Sequence, residues 1–221
     1  MKCGGVAIRE LLPKFKDPVS GLTHFFGIIL SIIGLAVLVM RSVNPVRPWH
    51  MLTGIVFGSG MIMLYTASTL YHWLDLSERG NLRLRKFDHM MIFFLIAATY
   101  TPFCLIPMRG PWGWGIFAAI WGMALLGVLF KTFWINAPRG LSTGLYLLMG
   151  WVAAVGIKAL VESLSPAALF WVITGGICYT TGAIFYVMKR PASKVFGFHE
   201  IFHLFVLGGT AAHYLAVYAY F

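Results

Sequence analysis

The stretch FHEIFHLFVLGGTAAHYLAVYAYF, residues 198–221, decides how this chain is read. From Phe202 onward it is mostly apolar, and its length matches the ~20 residues that a helix needs to cross the hydrocarbon core of a bilayer. Near its start His199 and His203 sit one helical turn apart. Residues at i and i+4 share one helix face, so this pair can present two imidazoles to one metal ion. A third imidazole, His72, closes the segment Ser68-Thr-Leu-Tyr-His72 at the end of another apolar run. Convergence of His72, His199 and His203 predicts a zinc site with one position left open for water.

The rest of the chain fits a membrane setting. Of 221 residues, 59% are hydrophobic and only 11% charged, far from the balance of a soluble domain. Apolar runs extend roughly from Val19 to Val39, Trp49 to His72, Asp88 to Ile106, Trp112 to Phe130, Ser142 to Val161, Ala167 to Met188 and His199 to Phe221. The expected fold is all-α: a polytopic bundle of seven transmembrane helices forming a single domain over residues 1–221, with residues 1–18 a short N-terminal segment. The breaks between runs are too short for an extramembrane domain, so function is expected in cavities of the bundle. The first run is too long for the apolar region of a signal peptide and lacks a small-residue cleavage site, so it is expected to remain as a helix. Cys3, Cys104 and Cys178 have no metal-type spacing and suggest no disulfide framework. The net charge of +10 is read as topology and attraction to anionic headgroups rather than nucleic-acid binding.

Charge also orients the bundle. Under seven crossings, Arg41, Arg47, Arg109 and Lys158 fall on one side and the rest of the 17 Lys and Arg residues on the other. The positive-inside rule then makes the N-terminus cytoplasmic, and the expected location is the plasma (inner) membrane. His24, Ser68, His72, Asp88, His199 and His203, from four different spans, come to one depth near the cytoplasmic face. His50 belongs near the opposite surface, and His213 lies ten residues past His203, ~15 Å deeper at helical rise. His24 and His89 are read as supporting or interfacial residues, since three imidazoles already suffice.

Asp88 has two readings, the N-cap of span three or a carboxylate that takes the proton of an attacking water and returns it to a leaving group. Ser68 lies one turn before His72, so its hydroxyl either reaches the same cavity or serves helix packing. The string His199-Glu200-Ile201-Phe202-His203 also matches HExxH, in which Glu is the general base of a metalloprotease; a glutamate in a first turn is equally favoured by the helix dipole. Thr99 to Phe103, TYTPF, reads as a proline kink whose freed backbone groups are met by the threonines.

At these positions the chain resembles the hemolysin III branch of the progestin and adipoQ receptor (PAQR) family. The resemblance is carried by THFFG in span one, STLYH in span two, KFDHMMIFFLIAATYTPF in span three and FHEIFHLFVLGGTAAHYLA in span seven. It implies a seven-helix fold with zinc near the cytoplasmic face held by His72, His199 and His203, with Asp88 and Ser68 close to its water. It also implies hydrolysis of an amide-linked lipid, as in the similar alkaline ceramidases. Departures are Asp17 and Ser20 where the eukaryotic receptors have Glu and Asn, Leu74 where an aromatic or acidic residue is usual, and the lack of the receptors' long N-terminal domain. Ligand-receptor signalling is accordingly poorly supported. The function expected is a zinc-dependent membrane hydrolase of an amide-linked lipid. The alternatives are a non-catalytic zinc-stabilised sensor or regulator of lipid metabolism and a hemolysin-type pore former, the latter disfavoured because no span presents a continuous charged stripe.

Overall fold

The computed structural model describes residues 15–193 and 196–221. Readings that rest on Lys2, Cys3, Arg9, Lys14 and Lys194 lie outside the described residues. The helices are α1 (Pro18–Val43), α2 (Pro48–Trp73), α3 (Glu78–Leu105), α4 (Pro111–Phe133), α5 (Arg139–Gly150), α6 (Ile157–Ser163), α7 (Pro166–Met188) and α8 (Phe198–Tyr218). Among the described residues there is no strand. The protein is an all-α, multi-pass membrane protein. Six helices are long and apolar enough to cross a bilayer, and α5 with α6 supplies a seventh candidate crossing bent by 60°.

Proline starts four of these helices, with Pro18, Pro48, Pro111 and Pro166 in the first turn. Its fixed φ suits a helix and its missing N–H is one that no helix could satisfy there. Ser77 and Ser165 cap α3 and α7 through hydrogen bonds from Gly80 N and Ala168 N.

Three expectations need correction. Span three does not begin at Asp88: α3 starts at Glu78, so Arg79, Arg83, Arg85 and Lys86 lie on helix rather than in a loop. Asp88 therefore sits mid-helix and cannot be an N-cap. Span five is not one helix, because Gly150 and Gly156 bracket a 3₁₀ turn, Trp151–Ala154, between α5 and α6. Glycine weakens a helix interior by ~1 kcal/mol relative to alanine, and Tyr100 of α3 compensates across the break. Its hydroxyl donates to Gly150 O at 2.6 Å and accepts from Ala153 N at 2.9 Å. Finally, α3 continues through Pro102 to Leu105. Pro102 frees the carbonyl of Ala98, whereas the hydroxyls of Thr99 and Thr101 donate to Leu95 and Ala97.

The helices pack as a ring, each of α1 to α4 on its neighbour, α7 on α8, and α8 back on α1, with α5 set between α3, α4 and α7. Consequently α1 lies between α2 and α8, the helices that carry the histidines. Gly27 permits this: a Cβ there would stand 2.8 Å from the Tyr65 ring of α2 and 2.9 Å from Leu207 of α8. The outer surface is apolar, with Leu30, Ile33, Leu126 and Phe133 among its exposed side chains.

Candidate metal site

The end of α2 and the start of α8 meet as the sequence predicts. His72, His199 and His203 each offer a ring nitrogen, and these atoms lie within 4.8 Å of one another. His72 and His203 are buried and His199 is half-buried. His72 Nε2 and His199 Nε2 are 3.1 Å apart. Tetrahedral zinc with Zn–N bonds of about 2.0–2.1 Å places its ligand nitrogens about 3.3 Å apart, so the His72–His199 separation suits such an ion.

Hydrogen bonds on the far side of the rings support that fit. Asp17, at the entry to α1, accepts from His72 Nδ1 at 3.1 Å. His203 Nδ1 lies 3.2 Å from Ser20 O and 3.3 Å from Thr23 Oγ1. Protons held on the two Nδ1 atoms leave the Nε2 lone pairs free, the tautomer that a metal-ligating histidine needs. Two imidazole lone pairs facing each other at 3.1 Å repel unless a cation or a proton lies between them. These three histidines could thus hold a metal ion.

Asp17 was legible only as a departure from the family motif. An aspartate before Pro18 reads as a helix cap, yet its side chain makes no cap hydrogen bond and turns to His72 instead. Ser20 and Thr23 follow on α1 at helical spacing.

Asp88 and Ser68 line the same cavity as the triad. Asp88 Oδ2 lies 3.4 Å from His89 Nδ1, which donates to Arg85 O at 2.8 Å. Ser68 is 2% exposed. Glu200 also lines the cavity, but both of its oxygens are engaged: Oε1 accepts from Ser20 Oγ at 2.6 Å and Oε2 from Gly197 N at 2.8 Å, so it caps α8 and ties it to α1. His24 stacks on His203 with ring centroids 3.8 Å apart. His213 bonds Val172 O deeper in the bundle, and His50 packs on Phe221 at the other end.

From the triad the cavity runs into the bundle, with a volume of about 970 Å³. Leu64, Leu95, Phe103, Ile116, Leu160 and Val172 make its inner walls apolar. Asp88 and Phe103, both on its wall, are separated by about 22 Å at helical rise. It also borders Trp151, Ile173 and Ile177, side chains exposed on the outer face between the broken span and α7.

Comparison with known proteins identifies the family. The family model described as "Haemolysin-III related" matches residues 13–214. A "Hemolysin-3 homolog" of Bacillus subtilis (strain 168) is 39% identical over 205 residues, covering 93% of this chain and 94% of that protein. "Hemolysin-3" of Bacillus cereus is 38% identical, covering 93% and 91%. The human "Monocyte to macrophage differentiation factor" is 28% identical over 213 residues, covering 93% and 84%. The chain belongs to the haemolysin-III-related proteins, the hemolysin III branch of the PAQR family.

Proposed function

We propose that this protein is a zinc-dependent hydrolase of an amide-linked lipid, with its site near the cytoplasmic face of the plasma membrane. The observation that carries the reading is the joining of an imidazole triad to a long apolar cavity. A lipid tail has space inward of the histidines, and the polar end holds Asp88 and Ser68 where a scissile amide would lie. The gap bordered by Trp151, Ile173 and Ile177 offers a sideways route from the bilayer.

Zinc bound by the three histidines would bring the pKa of a water to ~7 and polarise a carbonyl. The protein's own residues account for the remaining work. Asp17 and the Ser20–Thr23 turn orient His72 and His203. Ser68 donates a hydrogen bond to the substrate carbonyl. Asp88 accepts the proton of the attacking water, then delivers it to the amine as the C–N bond breaks, so an acid and an amine leave. Apolar walls exclude bulk water. Glu200, engaged by Ser20 and Gly197, is left out of the chemistry, which argues against a metalloprotease-type mechanism.

The test is lipid mass spectrometry of zinc-loaded protein incubated with N-acyl lipids, with release of free fatty acid as the readout. A broad panel without turnover would favour the second reading, a non-catalytic sensor or regulator of lipid metabolism in which zinc ties α2 to α8. One observation favours it: α1 bonds to both histidine-bearing helices, so the triad also clasps three helices.

A further inference from the structure

The cavity has a second polar wall that amide hydrolysis leaves without a task. Lys131, in the last turn of α4, is 1% exposed and lines the cavity. A reading from hydropathy alone puts it in a loop; it is instead a buried cation. Its Nζ donates to Ser142 Oγ at 2.5 Å, and among the described residues no carboxylate lies within 4.0 Å of it. A buried ammonium is strongly disfavoured unless an anion meets it.

Two further cations border the same end of the cavity. Arg85 of α3 donates to Asn136 Oδ1 at 3.2 Å, and Arg139 of α5 donates to Tyr186 O at 3.1 Å while stacking on the Tyr186 ring. Both partners are neutral, and each guanidinium keeps donors to spare. Thr143 is 4% exposed and lines the cavity, and its Oγ1 has no hydrogen-bond partner. Arg139, Thr143 and Tyr146 follow one another on one face of α5. The carboxylates lining the cavity have other partners: Asp17 accepts from His72, Glu200 from Ser20 and Gly197, and Asp88 lies beside His89.

We propose that Lys131, Arg85, Arg139 and Thr143 form a subsite for a phosphate group, so that the lipid held by this protein carries phosphate in its head. Lys131 supplies a point charge, the arginines supply forked donors, and Thr143 supplies a hydroxyl. Arg85 lies one helical turn from Asp88, which sets the phosphate beside the amide end of the cavity rather than along its tail. As a statement about substrate this rests on the hydrolase reading; as a statement about binding it does not. If Lys131 is only a tether between α4 and α5, its removal changes stability but not lipid preference.

The experiment is a binding titration of purified full-length protein in a non-ionic detergent, with phosphatidic acid and diacylglycerol of matched chains as probes. Wild type should prefer phosphatidic acid. Lys131→Met should weaken that lipid at least ~10-fold and Thr143→Val by ~3- to 10-fold, with diacylglycerol unchanged. Arg83→Gln, an exposed cation on the same side, should leave both alone. Displacement by inorganic phosphate would assign the site to phosphate from any source; failure to displace would assign it to a lipid-borne group. Equal affinity for the two lipids in wild type, or a preference changed no more by Lys131→Met and Thr143→Val than by Arg83→Gln, would overturn the proposal. Should Lys131→Met not fold, Thr143→Val decides. The same titration on His199→Ala separates this inference from the hydrolase reading, because the preference should persist there whether or not any lipid is cleaved.

Discussion

Asp17 Oδ2 accepts a hydrogen bond from His72 Nδ1 at 3.1 Å, and this contact sets which nitrogen of His72 faces the other two histidines. Partners of this kind usually contribute ~10- to 100-fold to metal affinity. Asp17 is 49% exposed, so solvent screening places its effect at the low end. Asp17→Ala is expected to weaken zinc ~10-fold with the helical content unchanged, as read by chelator competition and circular dichroism. Unchanged affinity would make the contact incidental.

The triad itself predicts close to one zinc per chain. His72→Ala, His199→Ala and His203→Ala should each lose most of it, while His213→Ala, whose Nε2 is bonded to Val172 O, should keep it. Elemental analysis of purified protein checks this. Equal zinc in wild type and a triple alanine variant would remove the site.

The triad was legible because two kinds of information in the sequence agreed: the i, i+4 spacing of His199 and His203, and the depth at which His72 ends its apolar run. What escaped were features that hydropathy cannot register. The first turns of α3 are polar yet helical, so Asp88 looked like a cap. Lys131 looked like a loop charge because a cation near the end of an apolar run usually is one, and its burial depends on α5 folding over it. The break in span five hinges on Gly150 and Gly156, glycines that a helix tolerates unless a distant group such as Tyr100 stabilises the opening.

That last pairing can be tested by Tyr100→Phe. The change leaves the ring in place but strips a partner from Gly150 O and from Ala153 N. Net loss of two hydrogen bonds at about 1 kcal/mol each predicts destabilisation of about 2 kcal/mol. The measurement is thermal unfolding in detergent, with hydrogen exchange expected to rise locally around 150–156. A variant as stable as wild type would show that the break stands without Tyr100.

Orientation follows from the positive-inside rule and can be read by labelling. A single cysteine introduced at Asp75, between α2 and α3, should react only with permeant reagents in whole cells, and a reporter fused after Phe221 should be exposed outside. Both on one side would mean that α5 and α6 together do not cross the membrane.

The sharpest contrast lies between two carboxylates on neighbouring walls. Asp88 lines the cavity without ligating in the triad, so Asp88→Asn should keep zinc and fold yet lose a proton acceptor, a change that typically costs ~10²- to 10⁴-fold in rate. Glu200 is committed to Ser20 Oγ and Gly197 N, so Glu200→Gln should cost about 1 kcal/mol of stability at the start of α8 and leave the rate within several-fold. A metalloprotease-type mechanism reverses the pattern, with Glu200 essential and Asp88 dispensable, and a purely structural zinc predicts no turnover in any variant. Fatty-acid release from N-acyl lipids by wild type and both variants, each first matched for zinc content, tells the three apart: if only Glu200→Gln loses activity, the base is Glu200 and the role proposed for Asp88 is wrong.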